Sequence, residues 1–461
     1  MNRFLNQIIQ GDCLEVMKEL PDNSVDSIVT DPPYELGFMG KMWDSTGIAY
    51  NVEMWQECLR VLKPGGYLLA FGGTRTYHRM TCAIEDAGFE IRDCIQWIYG
   101  SGFPKSMDIS KQIDKCKRGE LVRQKLMYFA KLRGIGGKWL EEKGIASAAS
   151  FTDWTIGGHA PSDKNWDIVK KALEITNDEE NKFEREVIGK RISNAQDQHK
   201  WLSEKYDGHK SNIIDITAPA TSEAIQYSGW GTALKPANEP IVVARKPLSE
   251  KTVAENVLKW GTGGINIDGC RVEFAKDESS KDLARSSQGF TSQSEIYHNN
   301  KDKYTISSEN GNPQGRFPAN VIFDEEAGRL LDEQSGISKS KSGGLSGFDP
   351  GMWKGKKQTN RGGHNDSGGA SRFFYCAKAS KAERRESKHP TVKPLNLMRY
   401  LVRLVTPPNG TALDPFAGSG TTLEAAMLEG FCFVGIERQA EYIPDIQARV
   451  KQAQAQQSLF A

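Results

Sequence analysis

Residues 411–437 read as strand, glycine turn, helix and second strand, an order that commits the chain to a parallel α/β sheet. The strand 411–413 (Thr-Ala-Leu) ends at Asp414, and the turn Pro415-Phe416-Ala417-Gly418-Ser419-Gly420 follows. Residues 421–429 have helical composition, and 431–436 form a strand ending at Glu437. Neighbouring parallel strands need a crossover, and a helix supplies it. The first hundred residues repeat the rhythm. Residues 25–30 are a short buried-strand pattern running into Asp31. Residues 52–62 have helical spacing closed by Lys63-Pro64-Gly65-Gly66, and 67–71 are a strand ending in Gly72-Gly73. Residues 75–87 read as helix and 89–98 as strand. An amphipathic helix over 395–405 precedes the C-terminal repeat of the pattern.

The middle of the chain differs. Residues 103–229 read as mostly helical and charged, and 275–388 are rich in Ser, Gly, Asn and Lys. A hydrophobic share of 38% over 461 residues lies below the usual range of about 45–50%. That fits a proper core with long polar excursions. Lys+Arg 60 against Asp+Glu 59 leaves a net charge of +1, so any nucleic-acid surface must be a segregated patch. None of the eight cysteines stands in a Cys-x-x-Cys pair, which argues against a zinc ribbon. Buried free thiols and a reducing cytoplasm are the expectation. The N-terminal residues carry no export pattern, and no apolar run is long enough to span a bilayer. The seven histidines form no metal-binding pair, and no metal is expected.

Two segments carry chemistry. The turn Asp414–Gly420 opens a helix, where glycines let a ligand approach the backbone and free N–H groups point outward. Glu437 ends the next strand, a place suited to a ribose diol. No Gly-Lys-Ser/Thr follows, so this is not a P-loop. The second segment is Asp31-Pro32-Pro33-Tyr34, at the strand end where ligands sit in open α/β sheets. An exocyclic base amine is a poor nucleophile because its lone pair is delocalised into the ring. A carboxylate and a backbone carbonyl accepting its two N–H protons would localise that pair. Pro32 restricts the backbone so that a carbonyl can point inward, and Tyr34 offers a face for a flipped base. The plainer reading, a Pro-Pro turn that merely ends a strand, stands beside it.

Taken together, these segments resemble the DNA amino-methyltransferases that modify the exocyclic nitrogens of adenine or cytosine. Asp31-Pro32-Pro33-Tyr34 matches the catalytic motif of that family, and Asp414–Gly420 is similar to its Asp-x-Phe-x-Gly-x-Gly cofactor motif. His389-Pro390-Thr391-Val392-Lys393-Pro394 resembles the His-Pro-Thr-x-Lys-Pro segment that precedes the cofactor turn in the circularly permuted beta class, and Gly11-Asp12-Cys13 resembles its N-terminal Gly-Asp-Cys. Pro415 stands at the second position of the cofactor motif, and Val392 replaces a common Gln.

The resemblance implies a Rossmann-like mixed seven-stranded sheet of the S-adenosylmethionine-dependent methyltransferase type, circularly permuted. It implies S-adenosylmethionine as cofactor. Asp31, Pro32, Pro33 and Tyr34 become catalytic, and Asp12, Thr391, Lys393, Asp414, Pro415, Phe416, Gly418, Gly420, Thr421 and Glu437 become cofactor-binding. Residues 1–102 would be the catalytic half, 103–229 a helical insertion and 230–247 a closing strand paired antiparallel with 89–98. A loop-rich target-recognition region would span 248–388 and the cofactor half 389–461. His389 is expected to hold the turn before Pro390.

Charge agrees with a double-stranded DNA substrate. Residues 351–388 hold ten Lys/Arg against three Asp/Glu, a net of about +7, with Trp353, Phe373, Phe374 and Tyr375 interleaved. Residues 104–143 hold eleven against five, about +6. Trp154 and Trp166 read as core residues of the helical insert. Asp at the first motif position goes mostly with adenine in the family, so transfer to adenine N6 is the expectation. N4 of cytosine, an RNA or protein amine, and a non-enzymatic DNA-binding regulator are the alternatives. The resemblance allows a homodimer and a separate restriction endonuclease as partners.

Overall fold

A computed structural model of the chain describes residues 1–36, 42–100, 102, 106–133, 136–142, 150, 166–192, 213–273, 315–339, 367–377 and 391–460. Trp154, Trp353, His389 and Pro390, and most of the basic stretch 351–388, lie outside the described residues. The chain divides into two compact units, Met1–Gly102 with Ala237–Ala461, and Phe103–Pro236.

The first unit is built on one sheet. Its strands are β1 (Gln7–Gln10), β2 (Val25–Thr30), β3 (Leu62–Phe71) and β4 (Glu90–Ile98). β5 (Val187–Ile192) and β6 (Ile213–Thr217) belong to the second unit. The first unit continues with β7 (Asn238–Arg245), β8 (Val321–Asp324), β11 (Tyr375–Ala377), β12 (Thr411–Asp414) and β13 (Cys432–Glu437), while β9 (Ser338–Lys339) and β10 (Ser367–Gly368) form a small separate pair. The main sheet runs β1-β13-β12-β2-β3-β7-β4-β8-β11, and only β7 is antiparallel to its neighbours.

Of the first seven of these strands, six are those expected from the sequence; β1, of four residues, is not among them. β4 and β7 pair antiparallel, with β7 seated between β3 and β4. The sheet then runs two strands further than expected. β8 and β11 come from the stretch read as loop-rich, and their four and three residues are too few to show a strand period. β3 also begins five residues earlier than its apolar run, at Leu62, and its pairing with β2 is irregular between Val25 and Ser27. Gly65, at φ +79, makes that irregularity possible.

Helices cover both faces. Leu397, Leu401, Leu404 and Val405 from Leu395–Val405 join β3, β7 and the helix Thr421–Leu428 in one apolar cluster. Met54, Trp55, Cys58 and Val61 from Val52–Val61 pack under the opposite face. The helix Thr421–Leu428 is buried nearly throughout, including the ion pair of Glu424 with Arg449 at 3.1 Å. All eight cysteines are free, but only Cys13, Cys58 and Cys270 are fully buried; Cys82 and Cys116 are exposed, which corrects the expectation for those two.

The second unit has a small core of its own, Val122, Leu126, Phe129, Leu140, Val169, Leu173 and Ile175, contributed mainly by the helices Ile109–Arg133 and Trp166–Ala172. It also holds the antiparallel pair β5–β6. Arg185 donates to Asp114, Ser110 and the Thr217 carbonyl, which fastens that pair to the long helix. No helix among the described residues is long and apolar enough to cross a membrane.

Candidate active site

The sheet order brings the sequence-distant segments to one edge. β1, β13, β12 and β2 are consecutive and parallel, so their carboxyl ends lie side by side. Those ends carry Asp12, Glu437, Asp414–Gly420 and Asp31–Tyr34. The sheet reverses its winding between β12 and β2, the topological switch point where open α/β sheets leave a crevice. Residues almost four hundred positions apart are backbone neighbours there, Ala412 with Ser27 and Leu413 with Ile28.

Side chains join the two strand ends. Thr30 Oγ1 donates to Asp414 Oδ1 at 2.7 Å, and the Phe416 N–H donates to the same oxygen at 3.1 Å. Burial pushes the Asp414 carboxyl from 3.8 up to about 6, against the opposing hydrogen bonds of Thr422, Thr30 and the Phe416 backbone; the charge of Asp31 raises it further. In the turn itself Gly418 has φ +52 and Gly420 φ +79, the left-handed region that glycine occupies without cost. A Cβ on Gly420 would stand 2.7 Å from Ile446 Cγ2 and 3.0 Å from its Cα. Pro415 and Thr421 are buried behind the turn, and Ser419 and Thr421 share a hydrogen bond of 2.9 Å.

Glu437 closes the turn from β13. Its Oε2 accepts the Gly418 N–H at 2.8 Å and its Oε1 the Gln439 N–H at 2.7 Å. Each oxygen keeps a second lone pair, so the donor set still suits a diol. Burial raises this carboxyl above its ordinary value. Asp12 caps the helix Cys13–Lys18 through the Leu14 N–H at 3.1 Å. Thr391 is exposed, two residues before the site cluster described next.

Asp31 occupies the other side of the crevice. Its Oδ2 meets Lys393 Nζ at 2.9 Å, while its Oδ1 is buried with no hydrogen-bond partner. Such an orphaned acceptor is costly and marks a position where a donor belongs. Lys393 also reaches Glu239 Oε2 at 3.1 Å and donates to the Tyr34 hydroxyl at 3.0 Å; that hydroxyl donates to Glu239 Oε2 at 2.9 Å. The ammonium lies 5.2 Å from the Tyr34 ring centroid but only 3.0 Å from its oxygen, so it sits toward the hydroxyl end. Burial works against the Lys393 charge, but Asp31 and Glu239 outweigh it and raise its pKa. Burial, then the charges of Asp31 and Glu239, hold the Tyr34 hydroxyl neutral far above its usual range.

Lys393, expected at the cofactor, thus stands beside the Asp31–Tyr34 tetrapeptide. Glu239 was not singled out from the sequence, although a glutamate opening the apolar strand β7 is the signal that could have found it. Phe71, 4.9 Å from the ammonium, is a second such neighbour. Among the aromatics expected on DNA, Tyr375 stacks on Tyr400 at 4.1 Å and donates to the Asn396 carbonyl at 3.2 Å, and Phe374 packs edge-on against Phe323. Both serve the fold, because they border the edge strand β11. Phe373 stays exposed, with Arg372 over its ring at 4.3 Å. In the other basic stretch, Lys117 and Lys125 pair with Glu223 and Glu179 at 2.8 and 2.9 Å.

A family model described as DNA methylase, N6_N4_Mtase, matches residues 25–448. The type II methyltransferase M.HinfI of Haemophilus influenzae is 28% identical over 149 residues, 26% of this chain and 42% of its own length. The type II methyltransferase M.HpaI of Haemophilus parainfluenzae is 32% identical over 114 residues, 23% of this chain and 36% of its own. The match therefore spans less than half the length of these curated relatives. Among solved structures, the M1.HpyAVI–SAM complex shares 14% identity at a TM-score of 0.36, covering 96% of this chain and 98% of that one. The PvuII DNA methyltransferase (cytosine-N4-specific) shares 11% at 0.37, covering 97% and 90%.

Proposed function

Because the chain belongs to the N6_N4_Mtase family of DNA methylases, we propose that it transfers a methyl group from S-adenosylmethionine to the N6 amine of adenine in double-stranded DNA. The observation that carries this reading is the unpartnered Oδ1 of Asp31, one strand away from the glycine turn at Asp414–Gly420.

When bound, S-adenosylmethionine supplies an electrophilic methyl group, so no covalent enzyme intermediate is needed. Glu437 and Asp12 suit the hydroxyl and amine donors of its adenosine, and the turn at Gly418–Gly420 suits its close approach. Asp31 Oδ1 and the Pro32 carbonyl accept the two N–H protons of a target amine, which draws its lone pair toward the methyl. Pro33 continues the rigid turn, and Tyr34 stacks on a base flipped from the duplex. Positioning and fixed charge supply most of the rate. The adenine assignment rests on Asp, not Ser, at the first position of the tetrapeptide. No cysteine follows a proline, so the thiolate chemistry of cytosine carbon-5 methylation has no candidate nucleophile of that form.

The test is transfer of labelled methyl to duplex DNA, followed by digestion and identification of the nucleoside. Label in N6-methyl-2′-deoxyadenosine supports the proposal, and label only in methylated deoxycytidine overturns it. An Asp31→Ala variant should bind the cofactor with unchanged affinity and lose transfer; near-native transfer would remove Asp31 from its assigned role.

A further inference from the structure

We propose that Glu239 is a positioning residue for this reaction: it shares the Lys393 ammonium with Asp31, so that Asp31 keeps one oxygen and a net negative charge for the target amine. The inference rests on the methyl-transfer reading above and adds a residue from β7 that no motif contains.

The geometry gives the reason. Lys393 Nζ lies 2.9 Å from Asp31 Oδ2 and 3.1 Å from Glu239 Oε2, so those two oxygens are at most 6.0 Å apart. One cation thus holds two carboxylates, and the cluster carries a net charge of −1. Two carboxylates this close repel strongly without a cation between them. Conversely, one carboxylate facing one buried cation forms a neutral pair with little field left over. Transfer of a sulfonium methyl would leave the carbon–sulfur bonding pair on the departing thioether sulfur and a positive charge on the amine nitrogen beside Asp31, until a proton left that nitrogen along its hydrogen bond to Asp31 Oδ1. A net negative cluster stabilises that charge and a neutral one does not. Glu239 also fixes Tyr34, whose hydroxyl donates to it while accepting from Lys393. The charged and titratable groups around the cluster are Asp31, Tyr34, Glu239, Lys393 and Tyr99, with Asp324 acting on Tyr99 and Asp414 next to Asp31.

Three variants test this: Glu239→Gln, Lys393→Met and the double variant. Their cluster charges are 0, −2 and −1. Each is measured for kcat and KM with duplex DNA, for cofactor affinity by calorimetry and for thermal midpoint. Glu239→Gln should lower kcat on the order of tenfold to a hundredfold, with KM and cofactor affinity nearly unchanged. The double variant should recover on the order of tenfold over Glu239→Gln, because removing the cation restores the charge of −1. Lys393→Met alone should move the acidic limb of the kcat–pH profile toward neutrality, since one of its two facing carboxylates takes up a proton; the double variant should lose that shift. A merely structural Glu239 predicts additive losses and no such shift, and either result overturns the proposal. Should Glu239→Gln fail to fold, the pH profiles of Lys393→Met and the double variant still decide it. If the wild-type protein methylates no DNA, the functional reading fails; if it does and the rescue is absent, only the role of Glu239 fails.

Discussion

Replacing Asp414 by asparagine removes a buried charge and keeps an acceptor at the same place. Asp414 is 2% exposed, and its Oδ1 accepts from Thr30 and from the Phe416 N–H; an asparagine oxygen can accept both. The carboxyl titrates near 6 in the folded chain against 3.8 ordinarily, chiefly because burial penalises the charged form. A raised acid pKa means that the folded state holds the proton more tightly than the unfolded state. The stability this contributes is fully present below 3.8 and is lost as the pH rises to 6. The difference of about 2.2 units corresponds to a loss of about 3 kcal/mol across that window. Asparagine at 414 does not titrate, so its stability relative to wild type should rise by that order between pH 4 and pH 8. Any fixed cost of the substitution itself cancels in this comparison, because it is the same at both pH values. Thermal midpoints of the two proteins, measured without cofactor across that range, give the gap directly, and it should widen in favour of Asp414→Asn by a few degrees. A gap that stays constant with pH, or that closes as the pH rises, would refute the reasoning.

Other substitutions probe the same edge and the packing behind it. Gly420→Ala forces a side chain into positive φ and against Ile446; it should cost about 1–3 kcal/mol and weaken cofactor binding measured by calorimetry. Glu424→Gln breaks the buried ion pair of Glu424 with Arg449 and should destabilise by up to about 3–5 kcal/mol, read as a lowered thermal midpoint. Tyr375→Phe deletes only the hydroxyl donated to Asn396. It should cost about 0.5–1.5 kcal/mol and leave DNA affinity in a filter-binding assay unchanged; a clear loss of affinity would return Tyr375 to the DNA surface.

What the sequence made legible is what is local. Asp31 and Asp414 each end a short apolar strand, and a Pro-Pro or Gly-x-Gly turn follows within a few residues. The strand period and the turn chemistry are therefore both contained in a short window. β4 and β7, at nine and eight residues, are long enough to read as strands, and their antiparallel pairing is implied by the family resemblance. β8 and β11 are not legible in this way, since strands of four and three residues carry no measurable alternation. The same limit explains the aromatics at 373–375. In the sequence they are three rings in a basic stretch, and nothing local says that Tyr375 would meet Tyr400 while Phe373 stays exposed. Lys393 lies in a recognisable segment, but its partners Asp31 and Glu239 come from β2 and β7, more than a hundred and fifty residues away in one case and more than three hundred and fifty in the other. Its place beside the tetrapeptide follows from sheet order, which no window of sequence contains.

Sheet order also accounts for the charge at this edge. Parallel strands all end on the same side, so a fold that terminates neighbouring strands in Asp31 and Asp414 and starts the antiparallel β7 with Asn238-Glu239 crowds three carboxylates together. Two responses are visible. Burial pushes Asp414, the most deeply buried, toward its neutral form against the hydrogen bond from Thr30, while Asp31 and Glu239 are both ion-paired with Lys393. One carboxylate thus has its titration raised toward neutral pH by burial, and two share a cation. The edge that remains is net negative. It exists only when β12, from the C-terminal end of the chain, is laid against β2 from the N-terminal end. The hydrogen bond that joins these two strands, Thr30 to Asp414, therefore also draws the Asp414 carboxyl back toward its ordinary range, against the larger effect of burial. A substitution at Thr30 should accordingly shift the window of the Asp414 titration along with sheet stability, coupling two properties that would be independent if the two strands merely packed side by side.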